Sequence, residues 1–411
     1  DHAGDLALCL EGLAQVGQAP DGPGLAQLLH ETACAYADRA LREKGELFAR
    51  RALEMAERLG AVEVQADALA WLGRYGGLSA EKSQESLARA VELAEGAGLL
   101  EVAASAHNRL GVYHAYTLAD ARTARDHCRQ AAELYRQVGR TVDQAYVLVN
   151  VATNSQFLGE FEEAEATLSF VCQLLSQLTE AGQAAYNARF CEVWLLGHQG
   201  EWAEAARLAR ALQADTRERS PTFLGVAGYL LAWVALESYV LGEGMPAGEW
   251  PEAAAAAAEA IEVLDHLPFY VYRVETRTVL GALHIYQGRL EEARRALEEA
   301  QERARAQPSG WDQQSLLWLE ARLATAEERW PEALAAFETL AGIHERLGWR
   351  WRQARVLLDW AQAYVARGQA ADIEQARDLL LDAQVAFEEM GILRYAAVAQ
   401  DRLQALGVAE E

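Results

Sequence analysis

The stretch VETRTVLGALHIYQGRLEEARRALEEAQER, Val274 to Arg303, decides the fold. Its first half gathers Val279, Leu280, Ala282, Leu283 and Ile285 and stops at Gln287-Gly288-Arg289, where glycine ends a helix readily. Its second half carries Leu290, Ala293, Ala296, Leu297 and Ala300 at helical spacing, with Glu291, Glu292, Glu298 and Glu299 on the outer side. Two amphipathic helices joined by a short turn make a hairpin. A lone hairpin cannot bury its apolar stripe, so copies must stack.

Copies are present. The pattern returns in Tyr146–Leu175 around Gly159 and Ala164, in Arg189–Leu212 around Gly200 and Ala205, and in Leu316–Leu340 around Ala333. A small residue in the middle of each first helix marks the register: Ala33, Gly73, Gly111, Ala152, Val193, Ala235, Gly281, Ala321 and Ala361. The successive spacings are 40, 38, 41, 41, 42, 46, 40 and 40, which predicts about nine hairpins. Gly60, Gly98, Gly139, Gly348 and Gly391 fall where second helices should end.

The residues Leu110-Gly111 with Ala124 and Ala131, and Asn150-Val151-Ala152 with Gly159, Ala164 and Leu168, resemble the tetratricopeptide (TPR) family. So do Leu280-Gly281 with Gly288, Ala293, Leu297 and Ala300, and Ala361, Tyr364, Gly368, Ala376 and Ala383. The segments Trp250–Ala253 and Trp330–Ala333, both Trp-Pro-Glu-Ala, open corresponding second helices. The TPR period is about 34, and this one is longer. It is similar to the repeats in the helical sensor arms of bacterial STAND-type signal ATPases, such as the maltose-regulon activator and related LuxR-type regulators. Glu345-Arg346-Leu347-Gly348 and Glu388-Glu389-Met390-Gly391 fit that subtype. HEAT-like repeats share the period and stand as the competing helical repeat. The resemblance implies an all-α, right-handed superhelical solenoid with flanking capping helices.

Along the chain we expect an N-terminal helix and loop (1–23), TPR-like repeats 1–6 (24–241) and a Gly/Pro insertion (242–251). The remaining repeats (252–391) and a capping helix (392–411), polar at Gln400, Asp401, Arg402 and Gln404, follow. The insertion either lengthens one turn or divides the solenoid into two semi-rigid halves. The start, Asp1-His2-Ala3-Gly4, reads as a cut from a longer protein.

Composition narrows the function. Of 411 residues, 51% are hydrophobic and 24% charged, which is globular usage. Lys+Arg is 37 against Asp+Glu 61, a net charge of −24, so direct nucleic-acid binding is not expected. No eighteen-residue apolar run free of charge occurs; Phe223 to Leu241 is interrupted by Glu237, and no membrane span is expected. Five cysteines without a CxxC pair point to neither a disulfide framework nor zinc, hence to a cytoplasmic location.

The only lysines, Lys44 and Lys82, lie outside any P-loop, and neither a Gly-x-Ser-x-Gly elbow nor His-Glu-x-x-His is present. We therefore expect no enzyme and no cofactor. His107, His114, His127 and Cys128 are conceivable as metal ligands, but His114 and His284 sit three residues after their anchors, where packing side chains are common. Arg346, Trp349, Arg350, Trp351, Arg352 and Arg355 interleave basic and aromatic residues; we read them as an inter-repeat turn with polar residues entering the next helix.

In a TPR solenoid, positions six and three before the anchor and one and four after it face the groove. By that spacing the groove candidates are Tyr146, Thr153, Gln156, Asn187, Phe190, Trp194, Tyr229, Tyr239, Trp318, Arg322 and Arg355. Aromatic faces there would suit a peptide or a sugar-like ligand. The expected function is a non-enzymatic ligand- or protein-binding arm of a larger bacterial signal-transduction or transcription regulator. Its partner would be a protein or peptide, with a small-molecule inducer as a further candidate. The alternative is a free-standing scaffold for protein assembly.

Overall fold

The computed structural model describes residues 2–16, 20–37, 41–178, 182–217, 220–241, 249–267, 272–306 and 308–408. Every regular element among them is a helix. The first seven are α1 (His2–Val16), α2 (Pro23–Ala37), α3 (Arg42–Leu59), α4 (Val62–Tyr75), α5 (Ala80–Gly96), α6 (Leu100–Tyr116) and α7 (Ala121–Gln137). Next come α8 (Thr141–Phe157), α9 (Phe161–Ser176), α10 (Gly182–Gln199), α11 (Trp202–Thr216), α12 (Pro221–Val240), α13 (Glu249–Asp265) and α14 (Tyr272–Tyr286). The last are α15 (Leu290–Ala306), α16 (Asp312–Ala326), α17 (Trp330–Leu347), α18 (Arg350–Arg367), α19 (Asp372–Glu389) and α20 (Leu393–Val408). The chain divides into two compact units, Asp1–Val151 and Ala152–Glu411.

The nine anchors fall on α2, α4, α6, α8, α10, α12, α14, α16 and α18. The glycines expected to end second helices, Gly60, Gly98, Gly139, Gly348 and Gly391, all have φ between 67° and 74°. A side chain is strained in that left-handed region, so glycine fits it best. Trp330-Pro331 opens α17 with proline in the first turn, where its missing N–H costs nothing.

In the first unit α2 packs on α3 and α4, α4 on α5 and α6, and α6 on α7. Alanines such as Ala33, Ala49, Ala52, Ala66, Ala90, Ala104 and Ala131 are fully buried between them, so the helices approach closely. Gly73 shows the requirement: a Cβ there would lie 2.9 Å from the Ser83 carbonyl and 2.7 Å from Leu87 Cγ. In α12 of the second unit the anchor slips. Ala235 is half-buried, and Gly228, one hydrogen atom wide, meets the Ala256 carbonyl instead, where a Cβ would be 2.7 Å away.

The second unit is richer in large rings. Trp311, Trp349, Phe337, Phe387 and Tyr395 are all fully buried. Its inner helices α10, α12, α14, α16 and α18 touch in sequence, and α20 returns to α10. Tyr395 on α20 donates to the Gly197 carbonyl at 3.3 Å, and Trp351 at the start of α18 donates from Nε1 to the His198 carbonyl at 3.2 Å. Met390 lies against Gly159, and the Arg394 guanidinium covers the Trp202 ring at 4.9 Å. The row of hairpins in this unit therefore curls until its ends meet.

That closure changes the reading of α20. Arg402, expected on a polar outer side, is half-buried and donates to the Leu358 carbonyl at 3.2 Å and the Val240 carbonyl at 2.9 Å. Residues 242–248 of the Gly/Pro insertion lie outside the described residues. On either side of them Tyr239 and Trp250 meet edge to face at 4.5 Å. Within α12, Phe223–Val240 is long and apolar enough to cross a bilayer by length and composition, and 78% of it is buried inside the protein.

Candidate functional site

The curl of the second unit encloses a partly open cavity of about 70 Å³. Phe157, Trp194, Tyr229, Trp233, Trp318 and Trp351 supply its rings. Glu237, Glu275, Gln314, Ser315, Arg352 and Arg355 supply most of its polar groups, and His198 and His344 complete the wall. All of these rings but Trp318 are held by another: Phe157 meets Trp194 edge-on at 5.5 Å, Tyr229 stacks on Tyr272 at 4.9 Å, and Trp233 meets Trp351 edge-on at 6.2 Å. Rings locked this way present fixed flat walls.

The charges are paired across the curl. Arg355 Nε donates to Glu237 Oε2 at 2.6 Å, and its Nη1 to Asp359 Oδ1 at 2.7 Å. Asp359 also accepts from Arg322 Nη2 at 2.5 Å. Burial disfavours the Arg355 charge, but Asp359 and Glu237 outweigh it and hold its pKa well above the ordinary value. Burial likewise works against the Asp359 charge, and Arg322 and Arg355 overcome it, so its pKa stays below the usual carboxylate range.

Arg352 sits over Trp311 at 4.9 Å, Trp349 at 5.3 Å and Phe157 at 5.8 Å, and its Nη2 donates to Glu275 Oε1 at 3.0 Å. That cage of π faces and one carboxylate fixes the guanidinium. Burial raises the Glu275 pKa, and Arg352 opposes the rise.

The two histidines are neutral at neutral pH. Burial, with the Arg352 charge adding, brings His198 and His344 each down to about 3. His198 Nδ1 donates to Gln156 Oε1 at 3.1 Å, and His344 Nε2 donates to Gln314 Oε1 at 2.9 Å. Some buried atoms in this wall have no partner: Glu275 Oε2, Gln314 Nε2 and His344 Nδ1. Such atoms are rare in folded proteins, because an unmet donor or acceptor costs about 1–3 kcal/mol.

Four groove candidates line this cavity: Trp194, Tyr229, Trp318 and Arg355. Arg322 lies just behind it, with its guanidinium 4.4 Å over the Trp318 ring. The other candidates are elsewhere. Gln156 is fully buried and bonded to His198 and Cys191, so it braces the wall rather than facing a groove. Thr153 Oγ1 points at Cys191 Sγ, 3.6 Å away. Phe190 is buried against Phe223 at 5.5 Å, and Asn187 is half-buried outside the cavity lining. Tyr239 packs on Trp250 and Tyr286. Tyr146 belongs to the first unit, packed on the cluster of Ala104, Cys128, Ala131 and Val147.

Glu275 and Thr278 stand six and three residues before Gly281, the spacings that select Tyr229 and Trp318, so repeat spacing was enough to find them. Trp351, Arg352 and His344 carried no such signal. The Arg346–Arg355 segment does hold a turn, with Gly348 at φ 68°; Arg346 and Arg350 are exposed, but Trp349, Trp351 and Arg355 go inward. Trp349 is fully buried and Trp351 and Arg355 nearly so.

In the first unit, His107 Nε2 donates to Glu95 Oε1 at 3.0 Å, which leaves its Nδ1 to accept from His127 Nδ1 at 3.0 Å. Cys128 is buried where α7 meets Gly111, with its thiol pKa pushed up to about 12 by burial. Among the described residues no three His, Cys, Asp or Glu side chains group so as to hold a metal.

No family model matches the sequence, and no curated protein does. Solved structures do resemble it. A Rap protein complexed with competence and sporulation factor is 14% identical, with a TM-score of 0.58 over 93% of this chain and 98% of that one. The human IFIT1 dimer with PPP-AAAA is 13% identical, with a TM-score of 0.54 over 98% of this chain and 88% of that one. Aspartyl phosphate phosphatase F from Bacillus subtilis is 12% identical, with a TM-score of 0.52 over 90% and 95%. At such identities the likeness is one of fold. The chain has the all-α, TPR-type helical-repeat fold.

Proposed function

We propose that this chain is a non-enzymatic binding arm whose second unit captures a ligand in the central cavity. The observation that carries the reading is the partly open cavity itself, walled by aromatic rings and by the ion pairs Arg355–Glu237 and Arg352–Glu275. Binding would bury a flat group against tryptophan, so it would stabilise the closed curl. The ligand is a small molecule or a side chain that a protein partner inserts. Because the walls come from α8 through α18, occupancy would shift the balance between a closed and a looser second unit.

That response suits the sensor arm of a cytoplasmic bacterial signal-transduction or transcription regulator. The similarly folded Rap protein complexed with competence and sporulation factor supports such a role. The net charge of −24 supports a partner other than bare nucleic acid.

Thermal shift and tryptophan fluorescence against a metabolite and peptide library test this. We expect ligands that raise the melting temperature of the parent and of Tyr146→Ala, but not of Trp318→Ala. Ligands that act equally on Trp318→Ala, or none at all, would overturn the reading.

A further inference from the structure

Helix α20 touches both edges of the closed second unit. On one side it is tethered to α19 by the turn at Gly391, φ 74°, and Tyr395 meets Phe387 at 5.0 Å. On the other side it reaches much earlier hairpins. The Tyr395 hydroxyl shares its one hydrogen between the Gly197 carbonyl on α10 and Glu237 Oε2 on α12, each 3.3 Å away. Its ring packs on Trp202 at 5.6 Å and Trp351 at 5.5 Å. Arg394 covers Trp202, and Arg402 reaches the Val240 carbonyl at the end of α12. Glu237 and Trp351 line the cavity and Tyr395 does not, so Tyr395 braces two wall residues from behind.

These contacts hold weakly. The buried stripe Ile392, Tyr395, Ala396, Ala399 and Leu406 has alanine at its centre, and alanine removes little apolar surface from water. One hydrogen divided between two long contacts bonds less well than a full bond to either. Arg402 stands in the same stripe with two carbonyls and, among the described residues, no ion pair. Burial, with the Arg355 and Arg322 charges adding and Asp359 opposing, holds its pKa below the ordinary value, so the docked position disfavours this charge. Released, the guanidinium regains water. A lone helix of 16 residues is barely stable in water, so undocking and unfolding of α20 go together.

We propose that α20 is a reversible strap. Docked, it holds α10, α11 and α12 against α18; undocked, it frees Glu237 and Trp351 and lets the second unit open at the cavity. That the opening admits a ligand rests on the binding reading above. The undocking does not, and it is measured without ligand.

Hydrogen exchange of the whole chain, followed by mass spectrometry, is the test. Helix α20 should exchange at least about tenfold faster than α18 and α19, at one rate from residue 393 to residue 408, because it leaves as a unit. Tyr395→Phe removes the shared hydrogen and keeps the ring. It should speed α20 by about three- to tenfold and leave α18 and α19 unchanged. A thiol in the wall reports the cavity: Thr278 lines it and is 2% exposed. In Thr278→Cys, labelling of the new thiol should speed by the same factor when Tyr395→Phe is added, while the buried native Cys191 does not respond.

A rate rising steadily toward residue 408 would mean a fraying end, and a rate equal to that of α18 a fixed cap; either overturns the strap. So does faster α20 exchange with unchanged labelling of the wall thiol, since the helix would then leave without opening the cavity. A chain that passes every arm yet binds no library ligand keeps the strap and loses the binding reading. Ligands that need Trp318, with α20 fixed, would do the reverse.

Discussion

Arg355 and Glu237 are 118 residues apart in sequence, yet Arg355 Nε reaches Glu237 Oε2 at 2.6 Å with both residues almost fully buried. The Tyr395 hydroxyl shares its one hydrogen between the same oxygen and the Gly197 carbonyl, each 3.3 Å away. Three helices, α12, α18 and α20, thus converge on one carboxylate. A carboxylate so far from water persists only where its partners are held in place, so this contact both requires and reports the closure of the second unit.

Closure bears on the Gly242–Pro251 insertion. Were it a hinge, residues 1–241 and 252–411 would fold apart. Instead Glu237 and the Val240 carbonyl, before the insertion, bind Arg355 and Arg402 after it. Expressed alone, 252–411 should show a broad, non-cooperative melt by circular dichroism. Co-expressed with 1–241, it should co-purify and melt sharply. Two independent cooperative melts would restore the hinge.

Glycine has opposite roles at two positions. A Cβ at Gly73 would collide with the Ser83 carbonyl and Leu87, and backbone cannot step aside cheaply. Gly73→Ala should cost about 1–3 kcal/mol. Gly342, inside α17, has only the Arg346 Nη1 within reach, at 3.6 Å. Gly342→Ala should therefore stabilise by about 0.5–1 kcal/mol. Urea denaturation of both variants checks the pair.

Acid should loosen the second unit. Burial holds His198 and His344 at about 3 in the folded protein, against an ordinary 6.5. Between those values the unfolded chain binds protons that the folded chain excludes, so stability falls as pH drops. The contribution of the neutral rings is intact above about pH 6.5 and is lost progressively toward pH 3. His344→Gln removes one such group. Its urea midpoint should fall less between pH 7 and pH 4.5 than the parent's; an equal fall would contradict the assignment.

Much of the fold was legible because a helical repeat is a local device. The forty-residue spacing of small anchors, the terminating glycines and the Trp-Pro openings depend on neighbours a few residues away. Ala235 was the exception, since Gly225 and Gly228 in the same helix offered other close approaches. The cavity was legible only in part. Trp194, Tyr229, Trp318 and Arg355 follow from spacing, and so do Glu275 and Thr278. Trp351, Arg352 and His344 reach it because the curl brings α17 and α18 back toward α8 and α10, and no local pattern encodes that return. Gln156 had the right spacing and a different task, bracing His198.

The most direct measurement is a double-mutant cycle on Glu237 and Arg355, read by urea denaturation of Glu237→Gln, Arg355→Met and the double variant. Removing either partner alone strands a buried charge and should cost about 3–5 kcal/mol. The double variant should recover part of that loss, giving a coupling of at least about 1.5 kcal/mol. Additive losses, with coupling below about 0.5 kcal/mol, would show that α12 and α18 do not meet and that the second unit is not closed around its cavity.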